Sequence, residues 1–248
     1  MKRCLALASW LLVIPFISGA EARGEEKLLL AVASNFSGPM EKLINRFEQE
    51  TAMEVEAVYS STGKLFAQIR HGAPYDIFFA ADGERPEILA GEGLCRRPFS
   101  YAEGELVLWS KAASPAGGGW DEMVIADGGK KIAIANPETA PYGKAAFQAL
   151  EKKGLLPLVR DRLVYAQNVG QAFQYGFQGA AGCSFIALSH ALSPEGKRGR
   201  YWAVPEAPRV EQQACILTGT ELPEAAGRFL EFFRSEQARK IMQSYGYR

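Results

Sequence analysis

YSSTGKLFAQIRHG, residues 59–72, joins a strand to a helix through a short turn of hydroxyl residues and glycine. Apolar residues alternate along the chain up to Tyr59, as they do in a strand, whereas Leu65, Phe66 and Ile69 recur at helical spacing. A helix start leaves backbone N–H groups unpaired and carries the positive end of the helix dipole. This turn can therefore hold an anion with neutral donors, or its serine can act simply as a helix cap.

The same plan recurs at three other places along the chain. In each, a short apolar run typical of a strand is followed by a polar turn and then by apolar residues at helical spacing. The three polar turns are SNFSGP (34–39), NPETAPYG (136–143) and NVG (168–170). This alternation predicts an α/β fold in which mostly parallel sheets carry helices on both faces.

The N-terminus has the features of a signal peptide. Two basic residues precede an apolar run over residues 5–17, and small residues at alternate positions lead to Ala22. We predict that residues 1–22 are removed by cleavage after Ala22 and that the protein is exported. Cys4 precedes the apolar run, so it is not placed as a lipid-anchor cysteine. No later apolar run is long enough to span a bilayer.

Composition limits the classes of ligand. The sequence has 28 basic and 28 acidic residues, and 48% of its residues are hydrophobic. The even charge argues against nucleic acid as a partner. An anion would therefore have to be bound through local geometry and not through bulk charge.

Two residue classes suggest further chemistry. After export the chain keeps Cys95, Cys183 and Cys215, and we expect a disulfide between Cys183 and Cys215, with buried reduced thiols as the alternative. Asp76 and Asp82 bound a predicted strand, but six residues at about 3.3 Å each separate them by roughly 20 Å. They cannot act on one atom, and we interpret them as strand-end caps.

Six segments of the chain resemble those of the periplasmic molybdate-binding proteins of bacterial ABC importers. They occur in the same order and cover essentially the whole mature chain. The segments are ASNF (33–36), STGKLFAQI (61–69), GAPYDIFFAAD (72–82), LVLWS (106–110), ANPETAPYG (135–143) and NVGQA (168–172).

The resemblance implies a two-lobed type II periplasmic binding protein fold, in which each lobe is a mostly parallel sheet flanked by helices. It implies a periplasmic, monomeric receptor that closes over one molybdate or tungstate ion in the cleft between the lobes. The receptor would deliver the ion to an inner-membrane ABC permease with a cytoplasmic ATPase, without enzymatic activity and without a cofactor.

The resemblance also implies the ligand-binding residues. Matched to the family, they are Ser34, Asn35, Ser61, Thr62, Tyr142 as a hydroxyl donor and the backbone amide of Val169. Molybdenum would enter only as molybdate, so no direct protein ligands to the metal are expected. Family members often have serine or glycine at the positions of Thr62 and Lys64, which leaves the donor in that turn open. Lys64 and Lys144 are expected at the solvated cleft rim.

The expected mechanism needs no lysine salt bridge. Four converging helix starts, each equivalent to about half a positive charge, supply up to about two charges to a dianion. Hydroxyl and amide donors favour a fully deprotonated oxyanion over phosphate, which keeps a proton and needs an acceptor.

Two alternatives remain open. A receptor for sulfate or another tetrahedral oxyanion could use the same fold. Ser61 and Lys64 also match the Ser-x-x-Lys motif of exported acyl enzymes, although the supporting Ser-Asp-Asn and Lys-Thr-Gly motifs are absent. A zinc site lacks a credible ligand set, because the sequence has only His71 and His190 beside scattered cysteines.

The expected lobes are discontinuous in sequence. We predict that residues 24–103 and 216–248 form one lobe and that residues 104–215 form the other. The two connecting segments would then act as hinges, so that a ligand bridging both lobes favours closure.

Overall fold

The computed structural model describes residues 27–111, 118–126 and 129–248. The predicted signal peptide, residues 1–22, lies outside these ranges, as does the predicted cleavage after Ala22. In the described ranges, no helix combines the length and the apolar character that crossing a membrane requires.

Strands and helices alternate along most of the described chain. The strands are β1 (Leu28–Ala33), β2 (Val55–Ser60), β3 (Ile77–Phe79), β4 (Cys95–Gly104), β5 (Leu106–Ser110), β6 (Ile132–Ala135), β7 (Leu163–Ala166), β8 (Cys183–Ala187), β9 (Arg200–Ala203) and β10 (Val210–Leu217). The α-helices are α1 (Ser37–Thr51), α2 (Thr62–Arg70), α3 (Glu84–Gly91), α4 (Trp120–Ala126), α5 (Pro141–Lys152), α6 (Leu156–Val159), α7 (Val169–Phe177), α8 (Leu188–Ala191), α9 (Pro223–Phe233) and α10 (Glu236–Ser244). A 3-10 turn over Ser34–Phe36 connects β1 to α1.

The strands form two five-stranded sheets of the same design. The first has the order β2-β1-β3-β10-β4, with β1 parallel to β2 and β3, and with β10 antiparallel to β3 and β4. The second has the order β7-β6-β8-β5-β9, with β6 parallel to β7 and β8, and with β5 antiparallel to β8 and β9. In each sheet four strands run in one direction and one runs against them. This confirms the predicted α/β fold with two mostly parallel sheets.

Each sheet carries its own apolar core. Helix α1 presents Met40, Leu43 and Phe47 to the first sheet, where they meet Phe229 of α9. Their spacing along α1 is the helical period that buries one face. The second core surrounds the fully buried Trp109 of β5.

The chain leaves the first sheet at Glu105. Strand β4 ends at Gly104 in the first sheet, and β5 begins at Leu106 in the second. Residues 101–110 therefore belong to two strands in different sheets. The predicted first boundary, between residues 103 and 104, falls one residue before the end of β4.

The chain returns to the first sheet earlier than predicted. All of β10, Val210–Leu217, pairs with strands of the first sheet, so the predicted boundary between residues 215 and 216 would divide one strand. Apolar periodicity does not reveal which of two sheets a strand joins. We infer that the second connection lies over residues 204–209. Strand β9 precedes this connection and pairs with β5 at the edge of the second sheet.

The disulfide differs from the expected one. It joins Cys95 of β4 to Cys215 of β10, with the two Cα atoms 6.0 Å apart. The expected Cys183–Cys215 pairing is wrong, because Cys183 lies in β8 of the second sheet. Each of the three cysteines in the described ranges is in a strand, so strand propensity alone cannot select the partners.

The two strand-end aspartates have structural roles, as predicted. Asp76 accepts a hydrogen bond from the Leu29 N–H at 2.7 Å and another from the Thr220 hydroxyl. Asp82 accepts from the Arg85 N–H at 3.0 Å and forms an ion pair with the Arg85 guanidinium. Asp76 precedes β3 and Asp82 follows it, so the two carboxylates fix the chain at the two ends of this strand.

The disulfide closes a long loop, so we expect a large contribution to stability. Its cysteines are 120 residues apart, and replacing both by alanine should lower the free energy of unfolding by about 2–4 kcal/mol in urea titrations. Cys183→Ala, which leaves the disulfide intact, is the matched control and should lose less. Peptide mapping of the unreduced protein that found Cys183 in the disulfide would contradict this pairing.

Candidate functional site

The four predicted junctions meet at one small cavity between the two sheets. Its walls are residues 33–35 at the end of β1, residues 60–62 at the end of β2, residues 140–142 at the start of α5, and Val169 at the start of α7, with Ala81 beyond β3. The carboxyl ends of parallel strands meet at one edge of a sheet, which is where α/β proteins bind ligands. The four junctions, which share one sequence pattern, are therefore also close together in space.

All six predicted site residues line this cavity and are buried. The exposed fractions are 6% for Ser34, 1% for Asn35, 3% for Ser61, 1% for Thr62, 2% for Tyr142 and 3% for Val169. The free volume of the cavity is about 10 Å³, far below the roughly 300–1,000 Å³ of pockets for organic ligands. In this closed arrangement the cavity has no room for an organic ligand.

Three hydroxyl groups in the cavity wall share one hydrogen-bonding arrangement. Each hydroxyl oxygen accepts a backbone N–H: Ser34 from Gly170 at 3.3 Å, Ser61 from Lys64 at 3.4 Å, and Thr62 from Ala81 at 3.1 Å. A hydroxyl that accepts from the backbone still has its own proton to donate. These three groups can therefore act as donors toward the cavity.

Helix starts supply further donors. Thr62 and Val169 are the first residues of α2 and α7, and Tyr142 is the second residue of α5. The first N–H groups of a helix have no partner within it. Three N–H groups and three helix dipoles thus lie at this cavity.

Among the described residues, the cavity wall contains no acidic or basic side chain. Lys64 and Lys144 are exposed, and the Lys64 ammonium donates to the Gln167 side-chain oxygen at 2.8 Å, from the first lobe to the second. The described residues also contain no group of three or more His, Cys, Asp or Glu side chains arranged to hold a metal ion.

The Tyr142 hydroxyl has partners within the protein. It accepts from the Gln212 amide at 3.5 Å and interacts with the Tyr247 hydroxyl. It also lies so close to Gly104 that a Cβ atom there would overlap it. Burial raises the pKa of Tyr142 well above its usual value, so the phenol stays protonated.

Asn35 is held by residues that sequence reasoning missed. Its side-chain nitrogen donates to the Gln212 side-chain oxygen at 2.7 Å and to the Tyr247 hydroxyl at 3.0 Å. These two bonds use both amide protons, so the remaining donor of Asn35 is its backbone N–H. No local motif marks Gln212 or Tyr247, because neither lies near a polar turn in the sequence.

The two lobes are in contact around the cavity. The Gly63 N–H donates to the Thr139 carbonyl at 2.9 Å, and the Ser189 hydroxyl donates to the Asn35 carbonyl at 2.6 Å. A Cβ atom at Gly63 would lie 2.9 Å from the same carbonyl oxygen, so the close approach requires glycine. The arrangement is the closed form of a two-lobed protein.

His190 lies beside the site and was not expected there. It is buried, its ring stacks on Phe173 with the centroids 5.5 Å apart, and it lines a neighbouring cavity of about 360 Å³ together with Ser34. Burial lowers the pKa of His190 to about 4, against a smaller raising effect of the Ser34 backbone. The imidazole is therefore neutral near pH 7 and adds no positive charge to the site.

A closed two-lobed α/β fold with a small buried polar cavity between the lobes defines a binding protein for a small solute. The family model for bacterial extracellular solute-binding proteins matches residues 28–248. The chain belongs to that family.

Individual relatives agree with this assignment. The chain is 37% identical over 225 residues to the molybdate-binding protein ModA of Azotobacter vinelandii, covering 88% of each chain. It is 35% identical to ModA of Rhodobacter capsulatus, covering 91% of this chain and 89% of the relative. The solved periplasmic molybdate-binding protein of Azotobacter vinelandii superposes with a TM-score of 0.84 at 35% identity, covering 89% of this chain and 98% of that one. These relatives are binding proteins and not acyl enzymes.

The buried neutral His190 predicts a pH dependence of stability. In the unfolded chain histidine titrates near pH 6.5, so between about pH 4 and pH 6.5 the unfolded state binds the extra proton and stability falls as the pH falls. We expect a loss of about 3 kcal/mol across this window to disappear in His190→Gln, measured by urea unfolding at several pH values. His71→Gln, which removes the exposed histidine, should follow the wild-type curve, and a wild-type curve in His190→Gln would contradict the assignment.

Proposed function

We propose that this protein captures molybdate, and also tungstate, outside the cytoplasmic membrane and delivers it to an ABC importer. The observation that carries the proposal is the buried cavity at which four strand-to-helix junctions present neutral donors. The molybdate-binding proteins related to this chain support the choice of ion.

Charge supports a dianion as the ligand. The three helix starts direct the positive ends of their dipoles at the cavity, and together they are worth up to about one and a half charges, because the first junction opens with a three-residue 3-10 turn and not with a helix. A monovalent anion would neutralise only part of this positive potential. This positive potential would repel a cation, and the described cavity wall contains no carboxylate that could bind one.

The hydrogen bonds support a fully deprotonated oxyanion. We assign the hydroxyls of Ser34, Ser61 and Thr62 as donors to ligand oxygens, since each already accepts from a backbone N–H. Backbone N–H groups of Asn35, Tyr142 and Val169 would complete the set of donors. Phosphate keeps a proton near neutral pH and needs an acceptor, so a site built of donors disfavours it.

Closure of the two lobes would retain the bound ion. Donors from both lobes surround the cavity, so an oxyanion bound there favours the closed form over the open one. The closed receptor would then be recognised by an inner-membrane permease with a cytoplasmic ATPase. We propose that the protein acts in the periplasm as a monomer, after removal of residues 1–22.

Calorimetric titration of the ligand-free exported protein, residues 23–248, tests the ligand. We expect tight one-to-one binding of molybdate and tungstate, with sulfate and phosphate binding much more weakly. Tighter binding of sulfate would keep the oxyanion site and reject molybdate as its ligand. Absence of binding by all four ions would reject the oxyanion receptor.

Thr62→Val tests the donor set at nearly constant volume. Loss of a hydroxyl that donates to the ion should weaken molybdate binding by about 1–3 kcal/mol, measured by competition titration. Thr51→Val is the matched control, because the Thr51 hydroxyl also accepts a backbone N–H, from Met53 at 3.3 Å, at the far end of α1. Equal affinities of the two variants would remove the Thr62 hydroxyl from the donor set.

A further inference from the structure

Tyr247 is the penultimate residue of the chain, yet it is part of the interior. Only 4% of it is exposed, and its ring lies 4.9 Å from the ring of Phe36, the residue that follows Asn35. A chain end that is not tied down is usually exposed and poorly ordered. The burial of Tyr247 therefore needs an explanation in terms of what its hydroxyl contacts.

The Tyr247 hydroxyl binds Asn35 at two points. It donates to the Asn35 carbonyl at 2.8 Å and accepts from the Asn35 side-chain nitrogen at 3.0 Å. One hydroxyl thus fixes both the peptide and the side chain of a residue in the wall of the oxyanion cavity.

A residue of the second lobe completes this arrangement. The Ser189 hydroxyl donates to the same Asn35 carbonyl at 2.6 Å and lies 3.2 Å from the Tyr247 hydroxyl. Tyr247 and Asn35 belong to the first lobe, whereas Ser189 lies in α8 of the second. The three-residue contact therefore exists only when the lobes are together.

The residue after Tyr247 is anchored at the connection between the lobes. Arg248 exchanges backbone hydrogen bonds with Glu103, at 2.9 Å and 3.3 Å, and its guanidinium lies 3.2 Å from the Glu105 carboxylate. The end of the chain thus spans from the first interlobe connection to the cavity.

We propose that Tyr247 is a positioning residue for the oxyanion site, which acts with Ser189 to fix the Asn35 peptide and thereby couples ligand affinity to lobe closure. The inference rests on the proposed function, because Asn35 has its role there.

The physical basis is that a mobile peptide group is a poorly directed hydrogen-bond donor. The N–H of Asn35 can donate to an ion at a useful angle only if the adjacent peptide groups are held. Phenylalanine at position 247 would keep the ring contact with Phe36 but would leave the Asn35 side-chain nitrogen without one of its two acceptors. Burial raises the pKa of Tyr247, so the hydroxyl stays protonated and keeps its donor role.

Calorimetric titration with molybdate tests the inference on Tyr247→Phe and Ser189→Ala in the exported protein. We expect each variant to bind about tenfold more weakly than the wild type, which corresponds to the loss of one buried hydrogen bond. Tyr75→Phe is the matched control, since Tyr75 is also buried and donates to the Gln68 side chain at 3.0 Å away from the cavity. Its affinity should stay within about twofold of the wild type.

Thermal unfolding of the ligand-free proteins separates positioning from a merely structural role. A structural role would lower the unfolding temperature of Tyr247→Phe and Tyr75→Phe alike and leave both affinities unchanged, which would overturn the inference. If Tyr247→Phe did not fold, wild-type affinity in Ser189→Ala would overturn it. Failure of the wild-type protein to bind molybdate is a separate result, which would reject the proposed function itself.

Discussion

The structure depends on one geometric constraint, which is that several helix starts point at one buried cavity whose described wall contains no basic side chain. Peptide dipoles are weak individually, so several helix starts have to point at the same place. Two sheets with the same pattern of strand directions, whose strand ends meet at the cavity, achieve this convergence. Two lobes, and not one, follow from the need to bring helix starts from opposite sides.

A second layer of hydrogen bonds supports the groups at the cavity. The hydroxyls of the wall accept backbone N–H groups, and the Asn35 amide is held by Gln212 and Tyr247. Gln212 is fully buried and also accepts from the Tyr101 hydroxyl at 2.9 Å. Buried polar groups are costly unless each is satisfied, so this network fixes the geometry of the wall as well as its composition.

Local sequence patterns predict the four junctions but not the residues that support them. A strand, a polar turn and an amphipathic helix follow each other over a short stretch, so their periodicity locates the four junctions. The resemblance to the molybdate-binding family, and not periodicity, selects the site residues within them. Asn35 and Tyr247 are 212 residues apart, and no short-range signal links them. The Cys95–Cys215 pairing and the membership of β10 in the first sheet depend likewise on which strands become neighbours, which is a property of the whole fold.

Strands β4 and β10 also determine how the lobes can move. Gly104 and Val210, the residues at which the chain leaves and re-enters the first sheet, are paired directly with each other. The Arg209 guanidinium contacts the Glu105 carboxylate at 2.6 Å, and the disulfide joins the other end of the same strand pair. The two connections between the lobes therefore begin next to each other, at the same end of the β4–β10 strand pair. Side-by-side connections of this kind favour hinge rotation about an axis through both of them over sliding of one lobe past the other.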